Sequence, residues 1–148
     1  MIKVESVLAR KTGPLIRVRS GDMVVEALRQ MRDNMVRAVL VIDDGVLVGI
    51  VTLGDCAIKV LLPGNDAKQT PVDQVMTGNP LVTVTPNEPL EACLAMMAER
   101  GYRHLPVLDA GKVVGVISLG EVVREIVQDL KLNMNDLLGY VMADGPGG

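Results

Sequence analysis

The chain repeats itself. Displacing it by 66 positions lays residues 14–55 over 80–121 without a gap. Pro14, Leu15 and Val18 fall on Pro80, Leu81 and Val84, and Leu28 and Met31 fall on Leu94 and Met97. Further along, Val41, Asp43 and Gly45 match Val107, Asp109 and Gly111, while Gly49, Leu53 and Gly54 match Gly115, Leu119 and Gly120. Upstream, Val4-Glu5-Ser6-Val7-Leu8 is similar to Val72-Asp73-Gln74-Val75-Met76 at a displacement of 68, so the first copy carries two extra residues there. A tandem duplication constrains architecture more than any single motif. One copy of about 60 residues is marginal in the surface it can bury. Two copies across a pseudo-twofold axis would cover each other's sheets and leave two equivalent clefts at the joint, where ligands commonly sit.

Each copy reads as the same series of elements. A short extended piece (15–19; 81–85) precedes a helix with apolar residues at i, i+3, i+4 and i+7: Val24, Ala27, Leu28, Met31 and Leu90, Cys93, Leu94, Met97. Two β-branched runs follow, 39–42 and 46–51, joined by Asp43-Asp44-Gly45 as a hairpin turn. The second copy has 105–108 and 113–117 around Asp109-Ala110-Gly111. A second helix closes each copy, with Val122, Val123, Ile126, Val127 and Leu130 as a broad apolar stripe. The expected organisation is a first repeat with an N-terminal extension at 1–62, a linker at 63–71, a second repeat at 72–130 and a tail at 131–148. Thr70-Pro71-Val72-Asp73 reads as a helix start with Thr70 as N-cap and Pro71 at the first position. Gly145-Pro146-Gly147-Gly148 is expected to be disordered.

Composition narrows the function classes. Nearly half of the 148 residues are apolar (49%), yet aromatics are 1%, with neither Trp nor Phe and nine Met. Such a core is aliphatic, as suits buried strands with helices laid on them. A net charge of −3 and two Tyr give neither an electrostatic footprint nor a stacking platform for nucleic acid. Cys56 and Cys93 lie far apart and form no CxxC motif, which argues against a disulfide framework or zinc site and for a reducing cytoplasm. Residues 1–10 lack the apolar block of a signal peptide. The most apolar stretch, 36–62, is interrupted by Asp43, Asp44, Asp55 and Lys59, so no membrane span is expected. A positive mean hydropathy points to apolar surface covered by a second subunit, hence a homodimer.

The order of these motifs resembles a known family. Val39-Leu40-Val41-Ile42-Asp43 followed by Gly49-Ile50-Val51-Thr52-Leu53-Gly54-Asp55 returns as Arg103-His104-Leu105-Pro106-Val107-Leu108-Asp109 and Gly115-Val116-Ile117-Ser118-Leu119-Gly120-Glu121. Together they resemble a tandem pair of CBS (cystathionine β-synthase) domains, the Bateman module, over roughly residues 4–130. The resemblance implies a mixed α/β (α+β) fold: two pseudo-twofold-related β-α-β-β-α repeats packed sheet to sheet. It also implies a regulatory module rather than an enzyme, binding AMP, ATP, NAD or a related adenosyl ligand and acting on a protein partner in trans. The other reading is a structural dimerisation protein that binds no nucleotide.

The resemblance assigns two clefts. The stronger takes Ile50, Thr52, Gly54 and Asp55 from the first copy and Thr77, Val82, Tyr102, Arg103 and His104 from the second. Adenine would lie between Val82 and Ile50, with backbone near Tyr102 reading its edge and Asp55 accepting from both ribose hydroxyls. Arg103 and His104 would face phosphate. The weaker, mirror cleft takes Ile16, Val36, Arg37 and Ala38 with Val116, Ser118, Gly120 and Glu121. It is degenerate in two respects: Glu121 is a methylene longer than Asp, and Ala38 stands where the second copy has His104. The residues alone permit a purely structural reading of both acids. Thr52-x-x-Asp55 and Ser118-x-x-Glu121 are also capping boxes. His104, in turn, also reads as a partly exposed strand-entry residue. No catalytic set emerges. Cys93 falls on the apolar helix face, and Cys56 follows Asp55 at a helix start, where a thiol pKa can fall but packing is the simpler role.

Overall fold

The computed structural model describes residues 1–78 and 81–143. The readings made on Pro80 and on Gly145 to Gly148 lie outside the described residues. In chain order the elements are α1 (Val4–Leu8), β1 (Arg17–Val18), α2 (Val24–Asn34), β2 (Ala38–Asp43), β3 (Val46–Thr52) and α3 (Leu53–Cys56). The last of these runs on as a wider π-type turn, Ala57–Leu61. The second copy supplies α4 (Leu90–Arg100), β4 (His104–Asp109), β5 (Lys112–Ser118) and α5 (Leu119–Ala143). The fold is mixed α/β, with order β1-β2-β3 in one sheet and β4-β5 in the other. The extended piece expected over 81–85 contributes only a single parallel bridge, Val84 to Val107.

Both hairpins close as their turn residues demand. Asp44 and Gly45 have φ of 49° and 80°, and Ala110 and Gly111 have 50° and 81°. Two successive positive φ values make the type I′ geometry that matches strand twist. Each hairpin then carries a bulge: Ile42 faces Leu47 but Val41 faces Gly49, and Leu108 faces Val113 but Val107 faces Gly115. The extra residue, Val48 or Val114, resets the alternation of side chains. That reset is why Leu47 and Ile50, three apart, both reach the layer between the sheets, as do Val113 and Val116.

Three aliphatic clusters result. Along β2, Val39 and Val41 enter the first core, whereas Ala38, Leu40 and Ile42 enter the inter-sheet layer. The cores do not follow the sequence repeats, however. Val4 and Val7 of α1 are buried with Val84, Leu90, Cys93, Leu105 and Val122 in the second core. Val72 and Val75 are buried in the first core, with Val24, Val51 and Val60. Each copy therefore lends its opening segment to the other. Backbone bonds fix the exchange, from Val4 N–H to the Glu88 carbonyl (2.9 Å) and from Val72 N–H to the Asp22 carbonyl (2.8 Å).

Two sequence expectations are corrected. Residues 72–74 form one 3-10 turn rather than the start of a helix, and Thr70 does not cap it: its hydroxyl donates to the Asp66 carbonyl at 2.8 Å. The α5 stripe is only partly inward. Val122 is buried and Ile126 half-buried, but Val123, Val127 and Leu130 are exposed, and the helix continues through Ala143. No helix among the described residues is long and apolar enough to cross a membrane.

Candidate functional site

A cavity of about 560 Å³ opens where the two copies meet. Its size is that of a small-molecule site. From the first copy, the end of β3 and the start of α3 contribute Ile50, Thr52, Gly54 and Asp55; the second contributes Thr77, Val82, Tyr102, Arg103 and His104. These are the nine residues assigned to the stronger cleft from sequence, brought to one wall-to-wall space. Arg37, Leu53, Ala57, Leu81, Gly101, Leu105 and Pro106 complete the lining. Arg37 was assigned to the other cleft. The hairpin register explains the move: Ala38 pairs with Thr52, and the Arg37 carbonyl accepts Leu53 N–H at 2.9 Å, which sets Arg37 beside the strand end that carries the site.

The chain reaches these positions for local reasons. Gly101, with φ 73°, ends α4 in the left-handed region and turns the backbone so that Tyr102, Arg103 and His104 run into β4 along the cavity. Across the joint, Ile50 and Thr77 exchange two backbone bonds, Ile50 N–H to Thr77 O at 3.0 Å and Thr77 N–H to Ile50 O at 2.9 Å. Such close approach needs a residue without a side chain next door. A Cβ on Gly49 would stand 2.9 Å from the Thr77 carbonyl oxygen and 2.5 Å from Met76 Sδ.

Asp55 is both cap and cavity wall. Thr52 N–H donates to Asp55 Oδ2 (3.0 Å) while Asp55 N–H donates to Thr52 Oγ1 (3.0 Å), a complete capping box. The other carboxylate oxygen, Oδ1, pairs with Lys59 Nζ at 3.2 Å. Ser118 and Glu121 repeat the box at 2.9 and 3.1 Å. Capping therefore does not separate the two acids. Their surroundings do.

The cations of the cavity are Arg37 and Arg103. His104 is not one of them at neutral pH: burial holds its pKa below the ordinary histidine value, and Lys11, Arg103 and Arg37 lower it further against the opposing pull of Glu121. The cavity thus combines an aliphatic slot (Ile50, Leu81, Val82), one aromatic ring, a carboxylate and two guanidinium groups. That set is suited to a flat apolar base, a diol and an anion.

The second assigned cleft is assembled differently. Ala38 is buried in the inter-sheet layer, which Val116 also packs against; Ile16 packs against the first core; Val36 is half-buried. Ser118 and Glu121 cap α5, and Gly120 is exposed in its first turn. Lys11, which sequence reasoning passed over, lies on this side: its Nζ donates to the Val116 carbonyl and pairs with Glu121 Oε1 at 3.0 Å.

Neither thiol is placed for nucleophilic chemistry. Cys56 and Cys93 are both buried. Burial, then the Asp55 charge, raises the Cys56 pKa, contrary to the lowering that a helix start permits; burial pushes Cys93 up to about 11. Among the described residues, no group of three or more His, Cys, Asp or Glu is placed to hold a metal ion.

Comparison with known proteins places this geometry. The CBS domain family model matches twice, at residues 4–61 and 72–128. The chain is 35% identical over 118 residues to the CBS domain-containing protein YhcV of Bacillus subtilis, covering 80% of this chain and 83% of that one. It is 32% identical over 126 residues to CBSX3, mitochondrial, of Arabidopsis thaliana, covering 82% of this chain but only 61% of the relative's length. Among solved structures, a protein with CBS domains from Burkholderia ambifaria MC40-6 superposes with TM-score 0.82 at 36% identity, over 86% of this chain and 96% of that one. The CBS domain pair of protein MJ0100, solved with 5′-methylthioadenosine and S-adenosyl-L-methionine, superposes with TM-score 0.75 at 25% identity, over 86% and 98%.

Proposed function

The chain belongs to the CBS domain family as a tandem pair, and from that premise we propose that its larger cleft senses an adenine nucleotide or related adenosyl compound and reports it to a protein partner. The observation that carries this reading is the convergence of nine residues from two repeats on one cavity of about 560 Å³. Adenine fits the slot between Ile50 and Val82, beside Tyr102. Asp55 accepts from the ribose hydroxyls; a hydrogen bond to such a charged acceptor is worth about 1.5–3 kcal/mol. Arg37 and Arg103 meet the phosphate or another anionic group, a role in which guanidinium excels because its donors form a fixed fork. The adenosyl ligands of the MJ0100 pair support the choice of ligand class. The two buried thiols, with raised pKa values, argue against thiol chemistry at this site.

A homodimer belongs to the same proposal. Val123, Val127 and Leu130 on α5, with Ile58 and Leu61 after α3, are large apolar side chains exposed to solvent, and such patches mark contact surfaces. This stripe is also what favours the second reading, an interaction protein that binds no nucleotide. Calorimetric titration with AMP, ATP and NAD separates the two. Saturable binding of any of them supports the sensor, whereas no heat and no adenosyl compound in the mass spectrum of freshly denatured protein leaves the interaction protein. A clean monomer by light scattering at tens of micromolar defeats the dimer.

A further inference from the structure

The two extra residues of the first copy lie between Leu8 and Pro14, in the stretch that carries Arg10 and Lys11. Both side chains reach the second repeat. Arg10 Nε pairs with Glu125 Oε2 at 2.7 Å, and that carboxylate side chain is only 11% exposed. Lys11 Nζ pairs with Glu121 Oε1 and donates to the Val116 carbonyl. The duplication gives these contacts their meaning. Val116 and Glu121 are the counterparts of Ile50 and Asp55, so one ammonium takes both the strand carbonyl that Thr77 N–H takes in the larger cleft and the carboxylate that pairs there with Lys59. There the opening segment contributes backbone instead, through the Ile50–Thr77 bridge.

Charge explains why a cation is called for. In the first repeat Lys59 follows Asp55 by one turn and pairs with it at 3.2 Å. The counterpart of Lys59 is Glu125, so α5 presents two carboxylates one turn apart, and among the described residues Arg124, which lies between them in sequence, pairs with neither. Arg10 and Lys11 supply the missing charge from a segment that the exchange of opening pieces already holds against α5.

We propose that Lys11, braced by Arg10, is a built-in occupant of the second cleft, and that this strap limits the chain to one adenine nucleotide. The proposal rests on the nucleotide reading of the larger cleft, and two measurements keep the failures apart. The first is calorimetric stoichiometry with AMP. Wild type takes up one AMP per chain; Lys11→Met, which keeps the aliphatic stem and removes the ammonium, takes up a second, weaker one. Asp55→Ala/Lys11→Met retains the weaker event. A Lys11→Met protein with the stoichiometry of wild type overturns the proposal, as does a wild type that already binds two.

The second measurement needs no nucleotide. Trypsin cuts after Arg10 and Lys11, and clamping slows it. Glu121→Gln/Glu125→Gln should be cut at these bonds severalfold faster than wild type, with cleavage elsewhere unchanged. Equal rates sink the strap even if AMP binds. Slow, glutamate-dependent cleavage in a protein that takes up none of AMP, ATP and NAD keeps the strap and defeats the nucleotide reading instead.

Discussion

The two clefts are drawn from matching positions, and they differ in what the opening segments bring to them. At the larger cleft Thr77 arrives with its backbone, bridges Ile50, and leaves the carboxylate of Asp55 to a lysine on its own helix. At the other, Lys11 arrives with its side chain and takes the Val116 carbonyl and Glu121 for itself. The strands widen the difference. The entry residues of β4 are His104 and Pro106, both lining the cavity, where β2 has Ala38 and Leu40 buried in the inter-sheet layer. Duplication supplied two equal frames, and a few side chains made one of them open.

The comparison is tested most severely at the two acids. Asp55→Ala should weaken AMP binding about ten- to a hundred-fold, since about 1.5–3 kcal/mol of charged hydrogen bonding is lost. Glu121→Ala should leave that affinity unchanged within error and cost about 0.5–2 kcal/mol of stability, if losing half a capping box resembles losing an N-cap. Titration beside thermal melts reads both. Equal losses of affinity would make the clefts equivalent.

The next contrast is between matched glycines. A Cβ at Gly49 meets the Thr77 backbone and Met76 Sδ, whereas a Cβ at Gly115 meets only the tip of Leu8, at 2.8 Å. Gly49→Ala should cost about 1–3 kcal/mol, the usual range for overpacking, and should weaken AMP binding because Thr77 is pushed from the wall. Gly115→Ala should cost less, since a leucine tip can turn away. Melts in which Gly115→Ala is the more damaging would contradict the claim that only the larger cleft needs backbone contact.

Histidine sharpens the electrostatic side. A base whose folded pKa lies below its unfolded value binds fewer protons when folded, so stability rises with pH across that interval. The contribution of His104 is intact above about pH 6.5, the unperturbed histidine value, and is lost as pH falls from there through the lowered folded pKa. His104→Gln should flatten the decline of melting temperature below pH 6.5. An unchanged slope would mean that burial does not hold the imidazole's pKa down.

The smallest effect is expected at the helix ends. Gly101 closes α4 with φ 73°, while its counterpart Met35 closes α2 with φ 54° and a side chain 92% exposed. Met35→Gly relieves a left-handed residue that packs against little, and should be neutral or stabilising by up to about 1 kcal/mol. A clear loss would show that the Met35 side chain has a partner.

Much of this was legible in the residues. Helix periodicity found α2 and α4, and Asp44-Gly45 and Ala110-Gly111 found both hairpins. The nine residues that the resemblance assigned to the stronger cleft all line the larger cavity, with seven more that it did not place there. What escaped depends on register and on long-range contact. The bulge at Val48 is invisible to a pattern of period two, yet it decides that Ile50 reaches the inter-sheet layer. Arg37, which the resemblance assigned to the other cleft, lines the larger cavity because the Ala38–Thr52 pairing follows from that bulge. Lys11 went unnoticed because a surface lysine in an insertion carries no local signal. Its meaning comes from Glu121, 110 positions away.

The exchange of opening segments also sets an order of events during synthesis. The first core cannot close until Val72 and Val75 have been made, by which time the linker is already out. Val4 and Val7 must wait for Val122, more than a hundred residues later, before their own core exists. A domain made at about 5–20 residues per second leaves such a segment unpaired for several seconds. A nascent chain stalled near residue 78 would hold one core ready to form and, in α1, a pair of valines with nowhere to go.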